Sequence, residues 1–113
     1  MTNLQAIQVE CKPYEADALG CEKALAGACK RTGSTLSLDA TYSSSEDKTI
    51  ALAAVKVLCK YLSLTSEKEG EWGNGYSREG LEERIKALCK ENELDESEFL
   101  EGVVVIRDGS HLL

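Results

Sequence analysis

The stretch "TIALAAVKVLCKYLSL", residues 49–64, decides the fold. Ile50, Leu52, Ala54, Val55, Val57, Leu58, Cys59, Tyr61, Leu62 and Leu64 surround most of a helical axis. Lys48, Lys56, Lys60 and Ser63 leave one polar strip. A helix apolar on most sides must be covered by other helices, so the sequence predicts a central helix over residues 46–64 with a bundle around it. With Lys56 and Lys60 inside, the stretch is too short and too charged to span a membrane.

Upstream, Leu4, Ile7 and Cys11 recur at helical spacing, which predicts a helix over residues 3–11 capped by Thr2 or Asn3. Pro13 stops it, because the residue before a proline avoids the α region. Residues 15–31 predict a second helix with a stripe of mostly small residues: Ala18, Cys21, Leu25, Ala28 and Cys29. Gly20 and Gly27 weaken such a helix by up to about 1 kcal/mol each, and close approach of a neighbour is a reason to carry them. Lys30 and Arg31 suit its C-terminal dipole, and Gly33 is a natural stop. Residues 34–45 form a polar connection, in which Leu36 and Leu38 alternate. Ser44 followed by Asp47 resembles a capping box for the central helix.

Downstream, "SREGLEERIKALCKEN", residues 77–92, predicts a fourth helix. Ser77 caps it, Glu79 lies in its first turn, and Leu81, Ile85, Leu88 and Cys89 make its apolar stripe. Glu82 and Lys86 are spaced for a surface pair. "DESEFLEG" predicts one helical turn carrying Phe99 and Leu100. The β-branched "VVVIR", residues 103–107, is bounded by Gly102 and the Asp108-Gly109 turn signal. The fold class is therefore all-α: a compact bundle of about four helices over residues 1–101, with a short β-like C-terminal arm over residues 102–113. A lone strand cannot pair with itself. Val103, Val104, Val105 and Ile106 either pack on their own domain or add to a neighbour.

The net charge is −7, and it is unevenly placed. Residues 66–101 hold twelve acids and five bases, so they carry the whole excess. An acidic face follows, either as a plain solvated surface or as a contact surface. Such a face repels nucleic acid and anionic lipid. Basic residues neither cluster nor interleave with aromatics, so specific nucleic-acid binding is disfavoured.

The chemistry of a catalyst is hard to assemble from these residues. Five cysteines at wide spacing, with no CxxC pair, are a poor disulfide, zinc or redox framework. A cysteine nucleophile needs a base, and the single histidine, His111, is two residues from the end. "GEWGNGY" lacks the Lys-Ser/Thr of a phosphate loop. The expectation is a non-enzymatic protein with no cofactor and no metal. No basic n-region followed by an apolar run marks a signal peptide, so a reducing cytosol suits the thiols.

That leaves interaction. Trp72, the only tryptophan, and Tyr76 sit in a loop with Gly73 and Gly75. They either fold back over the helical core or act as contact anchors, since Trp and Tyr are enriched at interface hot spots. The order of elements then resembles the small head–tail connector (adaptor, or head-completion) proteins of tailed phages, in a version found in prophages of gut anaerobes. In that version a loop reading Ser-Glu-Gly-Gly-Tyr-Ser precedes an "L-x-x-R/K-x-x-x-L-C" helix. Here "SEKEGEWGNGYS", residues 66–77, is longer and more charged, and Leu81, Arg84, Leu88 and Cys89 follow it. The likeness covers residues 3–94 and leaves the arm outside. It implies a ring of copies between portal and tail, with DNA passing through. The implied partners are other copies of the chain and the portal and tail-completion proteins, with no membrane. The implied location is the bacterial cytoplasm during assembly and then the virion neck. The residues alone also suit a stand-alone cytosolic module that binds one protein partner through its acidic face.

Overall fold

The computed structural model describes residues 1–68 and 78–101, the side chains of residues 64–68 and 101 excepted. Four helices make an all-α bundle: α1 (Asn3–Cys11), α2 (Ala18–Thr32), α3 (Asp47–Lys68) and α4 (Arg78–Glu91). A 3-10 turn (Ser44–Glu46) precedes α3, and a π-helical turn (Ser97–Glu101) follows α4. The β-like arm lies outside the described residues.

Helix α3 is the central element. It packs against α1, α2, α4 and both turns. Ile50, Leu52, Ala54, Val55, Val57, Leu58 and Leu62 are all buried, while Lys48, Lys60 and Ser63 stay exposed. Burying each large aliphatic side chain contributes about 1.5–3 kcal/mol, so this helix contributes more to the described core than any other single element. Ala51, Ala53 and Ala54 are equally buried. Their small side chains let neighbouring helices close on three sides.

Helix α1 starts in a capping box. The Thr2 hydroxyl accepts the Gln5 backbone N–H, and the Gln5 side chain accepts the Thr2 N–H. Two further N-terminal amides find acceptors across the fold. Asn3 N–H donates to the Ala40 carbonyl at 2.9 Å, and Leu4 N–H donates to the Leu38 carbonyl at 3.1 Å. Tyr42 N–H donates to the Met1 carbonyl, and Thr2 and Thr41 form one isolated antiparallel bridge. The connection over residues 34–45 is thus a strap over the start of α1. Its Leu36 and Leu38 are half-buried against the core.

Helix α2 begins three residues later than its sequence suggests. The Glu15 and Ala16 carbonyls are taken by the Tyr61 hydroxyl at 2.6 Å and the Gln8 side-chain amide at 2.9 Å. Those bonds hold the segment outside the helix. Ala18 is consequently exposed, and the buried stripe runs Cys21, Ala24, Leu25 and Ala28. At Gly27 a Cβ would stand 3.3 Å from Lys56 Cε, so the close neighbour there is a lysine stem on α3. At Gly20 the crowding is local, from Asp17. Gly33 ends the helix at φ 80°, its N–H donating to the Cys29 carbonyl at 2.8 Å.

The turn into α3 differs from the expected capping box. Ser43, one residue earlier than Ser44, caps the 3-10 turn through Ser45 N–H, and the Asp47 carboxylate accepts the Tyr42 hydroxyl. Nearby, the buried Thr49 hydroxyl donates to Thr32 Oγ1 at 2.9 Å, and Ser34 donates to Glu46 at 3.1 Å. This short polar network joins the end of α2 to the start of α3.

Helix α4 buries Leu81, Ile85, Leu88 and Cys89, the stripe its sequence predicts. Its cap, Ser77, lies outside the described residues. Glu82 pairs back to Arg78, one turn earlier, at 3.2 Å, where the sequence spacing offers Lys86, one turn later. The helix ends in a Schellman closure. Glu93 takes the left-handed conformation at φ 58°, and Leu94 N–H donates to the Cys89 carbonyl at 2.8 Å.

Candidate functional site

The interaction residues expected from sequence fall in two segments. Trp72, Gly73, Gly75 and Tyr76 belong to residues 69–77, and Val103, Val104, Val105 and Ile106 to residues 102–113. All of them, and His111, lie outside the described residues. The structure does fix the points from which both segments leave. Helix α3 runs to Lys68 and α4 starts at Arg78, and these two helices pack on one another. The last segment follows the Ser97–Glu101 turn, whose Leu100 is part of the core. Each segment is therefore attached to packed helical structure.

The thiols are free. Burial pushes Cys11 from 9.0 up to about 12, with Cys21 nearby adding to the effect. Burial likewise raises Cys21, Cys59 and Cys89 to about 11. Neighbouring Asp17, Cys89 and Glu96 respectively add to those shifts. These four side chains are protonated at neutral pH, the opposite of an activated nucleophile. Cys11 Sγ instead donates to the Ala54 carbonyl at 3.7 Å, as a small core residue does. Among the described residues no group of three or more His, Cys, Asp or Glu side chains is placed to hold a metal ion.

Two surface features remain. The first is a shallow depression where α4 meets its own C-terminal closure. Cys89, Ala87 and Leu94 give it an apolar floor, and Glu83, Lys86, Lys90 and Glu96 give it a rim of both charges. Sequence reasoning missed it, because it depends on Glu93 adopting a conformation usually reserved for glycine. The second feature is the acidic surface. Glu79, Glu83, Glu91, Glu93, Asp95, Glu96 and Glu98 are all exposed. Asp95 accepts the Ser97 hydroxyl at 2.7 Å and its N–H at 3.0 Å, which hold its carboxyl below the usual range. After α4 these acids stand without a base among them, whereas on α4 they share the surface with the exposed Lys86 and Lys90.

The architecture defines a small all-α bundle in which α4 balances four acids with four bases, while residues 92–101 after it carry five acids and no base. The chain belongs to DUF6706, a family of unknown function, and the match runs over residues 1–113. No curated protein and no solved structure matches it. No described helix is long and apolar enough to cross a membrane.

Proposed function

We propose that the chain is a non-enzymatic assembly protein, a head–tail connector of a phage or prophage that joins a ring between portal and tail. The observation that carries this reading is the order of elements. A short helix ends at Pro13, a small-residue helix follows, and a central helix covered by its neighbours leads through residues 66–77 into α4. In this reading the bundle is a scaffold, and residues 69–77 and 102–113 make the contacts with other copies and with the portal and tail-completion proteins. The exposed acids suit a conduit through which DNA slides without sticking, because like charges repel at close range. The protein would act in the bacterial cytoplasm during assembly and in the virion neck afterwards.

The test is co-sedimentation of the purified protein with tailless, DNA-filled heads of a related phage, followed by imaging. A ring of density beneath the portal is the expected result. Absence of binding, with specific recovery of a single host protein, would move the assignment to the second reading. That second reading is a stand-alone cytosolic interaction module, favoured by the run of exposed acids Glu93, Asp95, Glu96 and Glu98 after α4.

A further inference from the structure

The Ser97–Glu101 turn is the last described element, and its hold on the bundle is uneven. Leu100 is buried in the core, and the turn lies against α3. A π-helical turn is a rare geometry, so tertiary contacts must maintain it. Among the described residues, the polar ones from outside the turn's own neighbourhood come from a single residue at the end of α2. Arg31 ion-pairs with Glu98, and its guanidinium carbon lies 5.8 Å from the centroid of the Phe99 ring. Both ion-pair partners are nearly half exposed, at 45% and 46%. Water and salt screen such a pair, and an exposed cation–π contact is similarly weak. Just upstream, Glu93 sits at φ 58°, where a side chain is held at a cost. A buried apolar anchor is thus supplemented by a weak polar catch and preceded by a strained hinge.

We propose that this turn is a releasable clasp with Arg31 as its catch. The turn opens as a unit and lifts Leu100 out of the core, while α1 to α4 stay folded. The clasp does not depend on the connector reading, since it uses only contacts within the chain.

Residue-resolved hydrogen exchange on the full chain tests it. In the wild type, the amides of residues 97–100 exchange faster than those of the α3 core around Val55 and Leu58. Arg31→Glu and Glu98→Arg each speed exchange in the turn about threefold to tenfold. The α3 amides stay unchanged, and the double variant restores the wild-type rate. Added salt speeds exchange in the turn of the wild type. The clasp is overturned if residues 97–100 exchange together with α3 at the global rate. It is equally overturned if neither charge reversal nor salt changes their exchange.

Discussion

Arg84 on α4 donates its Nε–H to the backbone carbonyl of Glu10 at 3.0 Å, across 74 positions of sequence. That carbonyl lies in the last turn of α1, where the helix itself supplies no donor. The guanidinium reaches the Glu10 carboxylate as well, at 3.4 Å. One side chain therefore closes the end of α1 and ties it to α4. Arg84→Ala removes the donor from a partly buried acceptor and is expected to cost about 1–3 kcal/mol. Arg84→Lys should recover only part of this, since an ammonium lacks the planar fork. Urea unfolding of both variants measures it. Equal stability of the wild type and Arg84→Ala would remove Arg84 from the set of residues holding the bundle.

Two helix ends use the left-handed conformation with opposite fitness. Gly33 at φ 80° has no Cβ to strain, and nothing within 4 Å would meet one. Glu93 at φ 58° does carry a side chain. Gly33→Ala should therefore destabilise by about 1 kcal/mol, and Glu93→Gly should stabilise by about 0.5–1 kcal/mol. Thermal unfolding reads both signs. A lower Tm for Glu93→Gly would mean that the carboxylate makes a contribution larger than the backbone strain.

The buried thiols set an alkaline limit. Cys11 is raised to about 12, and Cys21, Cys59 and Cys89 to about 11, each by burial first. A folded-state value above the unfolded one means that the unfolded chain loses its protons first as pH rises. The stabilisation is complete below about pH 9 and is lost between about 9 and 12. Tyr42 adds to the same trend at higher pH, since its hydrogen bond to Asp47 raises the phenol to about 12. The urea midpoint should hold steady from pH 7 to 8.5 and fall steeply above pH 9.5. Cys11→Ala lowers stability at neutral pH through its cavity, yet it should flatten the alkaline fall. A midpoint independent of pH up to 11 would contradict the burial of these thiols.

These contacts mark what the sequence reveals and what it conceals. Periodicity exposes the helices well. The Leu81, Ile85, Leu88 and Cys89 stripe and the apolar girth of residues 49–64 both reflect burial that repeats every turn. Pro13 and Gly33 act on the local backbone and can be read in place. The strap of residues 34–45 over α1, the Arg84–Glu10 link and the Arg31 catch leave no periodic trace. Each joins polar atoms far apart in sequence, and such partners emerge only once the helices are packed. Glu93 is hidden for another reason: its conformation is typical of a different residue. Trp72 and Tyr76 stand out through composition alone, which names residues but gives them no neighbours.

Trp72 and Tyr76 decide between a scaffold that presents a loop and a core that needs a lid. Leu58, Leu62, Leu81 and Ile85 are fully buried, and they come from the two helices on either side of residues 69–77. Helices α3 and α4 also pack on one another. If the loop serves contact, replacing both aromatics with alanine leaves the urea midpoint within about 0.5 kcal/mol of wild type, as for surface substitutions. The same variant should fail to sediment with phage heads, because Trp and Tyr anchors commonly contribute 2 kcal/mol or more each at an interface, roughly thirtyfold in affinity. A loss of about 3 kcal/mol or more in monomer stability would assign the pair to the core instead. Normal stability with undiminished head binding would leave assembly to residues outside this loop.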